Sequence, residues 1–276
     1  MSNDSSVDDR GYLLSNRAAA AGARFEAFTK LFDPSTFCHL TDLGLSGGWN
    51  CWEVGAGGTS VVRFLADQVG PEGHVLATDI DVSWAAEATD TVVEVRQHDV
   101  AADPVPDGQF DLVHARLVLV HVPDRAAAMA NMVAALRPGG WLLVEDADPS
   151  LQPLSCLEVL GPEQELANKL RSGFRALMAQ RGVDLAYGRT LPRLLREAGL
   201  SEVGADAAFP VALPECAKLE TATITLIRDQ LVTHEVATDL EIERHLANVA
   251  AGKLDLTQPP MIAAWGRRKT ESHPPG

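Results

Sequence analysis

Hydrophobic positions in this chain follow a helical period near both ends and a strand–helix alternation between. From Ala18 to Leu31 alanines are dense, and Phe25, Phe28, Leu31 and Phe32 recur at helical spacing. This predicts a helix that Asp33-Pro34 breaks. A second short helix is expected from Ser35 to Leu43, stopping at Gly44. The phenylalanine stripe reads first as a face packed on the main domain, with a lid over a ligand site as the alternative.

From Asn50 the period changes. Asn50 to Val54 is a short apolar strand, followed by the turn Gly55-Ala56-Gly57-Gly58. Thr59 or Ser60 then caps a helix with Val61, Val62, Phe64, Leu65 and Val69 on its apolar face, ended by Gly70-Pro71. Strands are expected at His74 to Thr78, Thr91 to Arg96, Phe110 to Ala115 and Trp141 to Glu145. Helices are expected at Asp81 to Thr89 and from Asp124 through Leu136. Residues 150–187 read as largely helical, as do Pro192 to Ala198 and 215–250. Val203 to Val211 and Met261 to Trp265 supply a sixth and a seventh strand. Strands separated by helices of this length imply parallel pairing with helices on both faces. The fold class is therefore α/β, a Rossmann-like, doubly wound, seven-stranded sheet, mostly parallel, with helical cap segments. The expected domains are an N-terminal helical cap at 1–46, an α/β core at 47–149 and a helical cap insertion at 150–187. A last part at 188–270 completes the sheet and carries a helical insertion at about 215–250.

Composition narrows the function. The formal net charge is −15 over 276 residues, and such a surface repels phosphate backbones. No nucleic-acid partner is expected, and the short run Arg267-Arg268-Lys269 reads as a solvated terminus. Cys38, Cys51, Cys156 and Cys216 are scattered, without CxxC or metal-ligand spacing. They read as reduced thiols of a cytoplasmic protein, with no metal site expected. No apolar run approaches the ~20 residues that span a bilayer, so no membrane partner is expected. Met1 to Arg10 is polar, lacks a signal-peptide core and reads as a frayed tail.

In open α/β sheets ligands bind beyond the carboxyl ends of the strands, near the point where strand order reverses. There the first strand offers the tight turn of Gly55 and Gly57, and the second offers Asp79, a carboxylate able to accept from a ribose diol. The third offers Asp99, able to accept from an exocyclic amine, and the fourth ends in Ala115 and Arg116. Together they describe a site for an adenosine. Its bulky end is decided by Glu53, just before the turn. A carboxylate there repels a pyrophosphate and favours an ammonium, such as that of S-adenosylmethionine (SAM). The third glycine of a dinucleotide turn is also missing. His114 reads as a satisfied core histidine or a base, and His121 as a turn former or a base. Glu145, Asp146 and Asp148 read as solvated carboxylates, with a metal or base site as the alternative.

The sequence resembles the class I SAM-dependent methyltransferases, especially the small-molecule enzymes of bacteria. The resemblance rests on Glu53-Val54-Gly55-Ala56-Gly57-Gly58, Ala77-Thr78-Asp79-Ile80-Asp81, His98-Asp99-Val100, Phe110 to Arg116 and Leu136 to Glu145, and it covers residues 50–146. It implies SAM as cofactor, with Glu53 under the methionine end and the backbone of Gly55, Ala56 and Gly57 against methionine and ribose. Asp79 would hold the ribose hydroxyls and Ile80 would pack on adenine. Asp99 and the Val100 backbone would meet the adenine amine, and Ala115 would lie near the methionine. The family's reversed last strand fits Ala263-Ala264-Trp265-Gly266. The chain departs from the pattern where Thr59 stands in place of a third glycine, with Gly58 one position earlier. Ala115-Arg116-Leu117 carries no Asp/Asn-Pro-Pro-aromatic motif, no Pro-Cys nucleophile sits nearby, and no strand-end set matches the metal-dependent catechol enzymes. The expected function is methyl transfer to a small organic acceptor, such as a secondary metabolite, with His121 or His114 as the base. Two alternatives stay open: a SAM-binding relative with a role other than methyl transfer, and a nucleotide-dependent oxidoreductase. A homodimer is a further open expectation.

Overall fold

The computed structural model describes residues 19–270. In chain order the elements are α1 (Ala19–Asp42), β1 (Asn50–Val54), α2 (Ser60–Val69), β2 (His74–Asp79), β3 (Val93–Gln97), β4 (Phe110–Arg116), α3 (Arg125–Ala135), β5 (Leu136–Ala147) and α4 (Pro162–Gln180). They continue with α5 (Leu191–Glu197), β6 (Ser201–Ala208), α6 (Pro214–Leu226), α7 (Arg228–Thr233), α8 (Asp239–Ala250) and β7 (Met261–Arg267). Two compact units result. Of the described residues, one holds Phe32–Asp148, Ala186–Ala208 and 260–270; the other holds 19–31, Pro149–Leu185 and Phe209–Pro259. Met1 to Arg10, expected as a frayed tail, and residues 11–18, expected as helix, lie outside the described residues.

The first unit is a seven-stranded sheet in the order β3-β2-β1-β4-β5-β7-β6. All neighbours up to β5 pair in parallel, and β7 runs antiparallel to both β5 and β6. Strand order therefore reverses between β1 and β4. The inner strands are apolar on both faces, as strands covered by helices on both sides must be: Cys51, Trp52, Val54, Leu112, Val113, Ala115, Leu142, Leu143 and Val144 are all buried. On one face Val61, Val62, Leu65 and Val69 of α2 pack with Leu40 of α1 against Cys51, Val75 and Leu112.

Three expectations are corrected here. Asp33-Pro34 does not break the first helix, because α1 runs through with Pro34 inside it. The backbone hydrogen bond that Pro34 cannot donate is outweighed by side chains on either side of it: Asp33 pairs with Arg116, and Thr36 with Glu145. Asp81 to Thr89 forms no full helix; a single 3-10 turn at Ala86–Ala88 is all that develops, between Asx-type bonds from Asp79 to the Asp81 amide and from Asp81 to the Ser83 amide. Arg267-Arg268-Lys269 is not a solvated terminus as a whole. Arg267 ends β7, bonds the Gly139 carbonyl at 2.9 Å and lies over the Trp141 ring, while Arg268 donates to the Ala134 and Leu136 carbonyls at the C-terminal end of α3. Lys269 is exposed.

In the second unit Leu166, Leu170 and Leu177 of α4 meet Ile224, Leu231 and Ile242 of the later helices in one core. A capping box, Thr238 with Glu241, starts α8. Residues 150–161, expected to be helical, are not; α4 starts at Pro162, where the proline ring sits in the first turn. Buried within the unit, Glu220 accepts from Arg171 at 3.3 Å and from His245 at 2.9 Å. Burial raises the Glu220 carboxyl, but the bond from His245 and the charge of Arg171 outweigh it and leave it lowered. Removing one partner of a buried pair strands the other. Arg171→Met is expected to lower unfolding free energy by about 3 kcal/mol, as read from the urea midpoint at unchanged m-value.

Candidate active site

The first strand ends in a turn that only glycine accommodates at one position. Gly55 has φ +65°, and a Cβ there would stand 2.3 Å from Val118 Cγ2, in the loop after β4. The backbone of β1 and the β4 loop thus approach each other where strand order reverses. Asp79, at the end of β2, ties the turn down: its Oδ2 accepts from the Gly57 amide at 2.9 Å, and its Oδ1 accepts from the Asp81 amide at 3.0 Å. Burial raises the Asp79 carboxyl against these backbone bonds. Next to it, Ile80 is 69% exposed. Asp99 is half-buried, and its Oδ1 accepts from the Ala101 and Ala102 amides. Val100 is buried, its carbonyl bonded by Asn131. Ala115 is fully buried in β4 beside Val54 and Val144.

Beneath the turn lies a chain of buried charges. Glu53 and His114 are register partners on β1 and β4, so their side chains share one face of the sheet. Glu53 Oε2 and His114 Nδ1 are 2.6 Å apart, and His114 Nε2 lies 3.3 Å from Glu145 Oε2. Glu145 accepts from Thr36 at 2.6 Å, and its Oε1 is 3.4 Å from His39 Nδ1. His39 Nε2 reaches Asp206 on β6 at 2.9 Å. The sheet register explains this reach: Glu145, Ala263 and Asp206 lie in one row across β5, β7 and β6, and the small Ala263 leaves room for the imidazole. Arg116 joins from the same side, donating to Thr36 and to Asp33 at 2.9 Å each, and Ser60, the first residue of α2, also donates to Asp33.

These contacts set the charge states. Burial would lower His114, but the charge of Glu53 and hydrogen bonds with Glu145 and Glu53 outweigh it and push it up to about 9. His39, held first by its bond to Glu145 and then by Asp206 against burial, also rises to about 9. Burial raises Glu145, but the bonds from His114 and His39 prevail and hold its carboxyl far below the usual carboxylate range. The expectation of solvated carboxylates is therefore corrected. Glu145, Asp146 and Asp148 are all buried, Asp148 in a two-pronged pair with Arg189 at 2.6 Å. Asp146 points to the other face of β5, where burial holds its carboxyl well above the ordinary value.

Sequence reasoning reached Glu53, Gly55, Gly57, Asp79 and the two histidines, and the structure gathers Glu53, Gly55, Gly57, Asp79 and Ala115 around the β1–β4 reversal. His114 is fully buried between two carboxylates, while His121 is exposed in the turn after β4, its amide bonded to the Val118 carbonyl. Asp33, Thr36 and His39 were missed. Their signal was present, since three polar residues recur every third position of a helix otherwise marked by Phe32, Phe37 and Leu40.

A family model described as "Methyltransferase domain" matches residues 52–144, the stretch from β1 into β5 that contains Glu53, Gly55, Gly57, Asp79, Asp99 and His114. Within the sheet unit, residues 52–144 carry the sequence pattern of a methyltransferase domain. The domain's sequence is 33% identical over 155 residues to a methyltransferase, str3, of Strobilurus tenacellus, covering 55% of this chain and 53% of that protein. It is also 33% identical over 123 residues to the ubiquinone/menaquinone biosynthesis C-methyltransferase UbiE of Vibrio cholerae, covering 41% and 47%. The chain thus spans about half the length of these curated relatives. The fold is shared with phosphoethanolamine N-methyltransferase 2 of Haemonchus contortus solved with S-adenosyl-L-methionine, at TM-score 0.57 and 14% identity, over 93% of this chain and 58% of that one.

Two outcomes follow for this domain. His114 and His39 have folded pKa values above the unfolded value, so their contribution is full below about pH 6.5 and is lost as pH rises through about 9. Glu145 is shifted the other way, so its contribution is lost as pH falls below about 4.5. Urea midpoints should be highest between these limits and fall on both sides. Gly55→Ala, with its strained φ and its close approach to Val118, should lower stability by about 2 kcal/mol. Gly58→Ala, with open space around its Cβ position, should stay within about 0.5 kcal/mol.

Proposed function

We propose that the protein binds SAM at the β1–β4 reversal and transfers its methyl group to a small organic acceptor. The observation that carries this reading is Asp79, which stands beside the Gly55–Gly57 turn with its carboxylate already ordering that turn. In this reading Asp79 accepts from the ribose hydroxyls, Ile80 covers one face of adenine, and Asp99 with the Val100 backbone meets the adenine amine. The Gly55, Ala56 and Gly57 backbone follows the ribose and methionine, with Ala115 close by. Glu53, buried and acidic ahead of the turn, suits an ammonium and opposes a pyrophosphate. This argues against the oxidoreductase alternative.

When bound, SAM supplies a methyl group on a sulfonium, which moves to a nucleophilic atom while sulfur keeps the electron pair of the broken bond. The protein's part is alignment and exclusion of water. For an acceptor that must lose a proton, His121 is the proposed base. It lies in the turn after β4, whereas His114 has both ring nitrogens engaged and holds its proton at neutral pH.

The helical unit exposes Leu154, Leu157, Val159, Leu160, Phe209 and Leu213. An apolar acceptor is favoured by the naming of UbiE for ubiquinone and menaquinone biosynthesis. No described helix is long and apolar enough to cross a membrane, and the cysteines are free thiols; we place the protein in the cytoplasm, with a homodimer as its proposed assembly.

Thermal unfolding should report SAM at 100 times its dissociation constant as about 2.7 kcal/mol of added stability, and NAD(H) should add none; stabilisation by NAD(H) alone would overturn the reading. Asp79→Ala should weaken SAM by about 1–3 kcal/mol in calorimetry. Once an acceptor is found, His121→Ala should lower kcat by about a hundredfold at neutral pH with SAM affinity unchanged.

A further inference from the structure

The motif that places Glu53 ahead of the glycine turn says nothing about what holds its side chain. In this chain the holder is visible. Glu53 is 2% exposed and shares its sheet face with His114, whose Nδ1 is 2.6 Å from Glu53 Oε2. The imidazole cannot turn away, because its other nitrogen faces Glu145 at 3.3 Å. Glu145 in turn is fixed from α1 by Thr36 and His39, and Asp206 on β6 fixes His39. Arg116 on β4 completes the surroundings through Thr36 and Asp33. The two carboxylate partners of His114 come from the strands on either side of it, and the charges alternate in sign from Glu53 through His114, Glu145 and His39 to Asp206. A long acidic side chain at the rim of a turn has several rotamers, and only one presents a carboxylate oxygen to a ligand above it. The ion pair selects among them.

We propose that His114 is a positioning residue for the amino-acid end of the cofactor: it grips Glu53 by Oε2 and so presents Oε1 to the cofactor's ammonium. The inference rests on the SAM-binding reading above. It assigns His114 no proton transfer to or from the acceptor. It also confines the effect of His114 to the amino-acid tail, since the adenosine contacts run through Asp79, Ile80 and Asp99 instead.

The test compares two ligands that differ at that tail, SAM and 5′-methylthioadenosine, which keeps the adenosine and sulfur and lacks the amino acid. By calorimetry His114→Gln should weaken SAM about tenfold or more and methylthioadenosine by less than about twofold. In a Glu53→Gln background the same change should have no further effect on SAM. Equal weakening of both ligands, or unchanged SAM affinity, overturns the proposal. If His114→Gln does not fold, ring 15N NMR of the wild-type protein decides. The His114 signals, those of an imidazolium that does not titrate between about pH 6 and 8 and told apart from His39, which behaves alike, by their persistence in a His39→Gln variant, should shift on saturation with SAM and stay in place with methylthioadenosine. Signals that move with both or with neither overturn it. A wild-type protein that binds no SAM overturns the methyltransferase reading itself, whereas SAM binding that ignores His114 overturns only the positioning role.

Discussion

A positive imidazole ring held between two carboxylates organises the sheet unit. Burying Glu53, His114 and Glu145 is unfavourable for each alone, and their mutual attraction offsets that only if every partner stays in place. The requirement reaches outward. Glu145 needs Thr36 and His39, which fixes the second half of α1 across the sheet; His39 needs Asp206, which brings in β6. Arg116, pairing with Asp33, draws the first turn of α2 into the same arrangement through Ser60. A geometry set by charge under the glycine turn therefore also sets where the helices sit around it.

The same constraint explains how the site divides its work. Adenosine recognition in the proposed reading uses groups at the rim, Asp79 and Ile80, which ordinary turn chemistry places there. In the same proposed reading the amino-acid tail is met by Glu53, which is buried and must be held. Rim groups tolerate loop variation; a buried carboxylate does not, and it is the buried part that carries the chain's own solution.

Much of this fold was legible along the chain. Strand–helix alternation marked the first five strands, less regular stretches suggested the last two, and the glycine turn, Asp79 and Glu53 stood out because strand ends with special residues are rare in an otherwise apolar pattern. All but one of the failures share one cause. Pro34 sits inside α1 because contacts from strands far along the sequence outweigh a local breaking signal. The local exception is the 81–89 segment, which failed to become a helix because its aspartates bond nearby backbone. Glu145 and Asp148 looked solvated because nothing local reveals that Thr36, His39 and Arg189 will meet them. Arg267 and Arg268 looked like a loose end because the carbonyls they bind lie more than a hundred residues away. Propensity and period are local, and the polar core of this domain is almost wholly long-range.

The position of β7 has a consequence for how the chain can be built. It is the last strand in sequence, yet it lies inside the sheet, between β5 and β6. On the ribosome β6 emerges without its only neighbour, and one edge of β5 stands open, until more than fifty further residues have been made. Throughout that interval both edges expose unpaired backbone groups. Synthesis must therefore reach β7 before the sheet can close, and the nascent sheet depends on that strand as a zip depends on its slider.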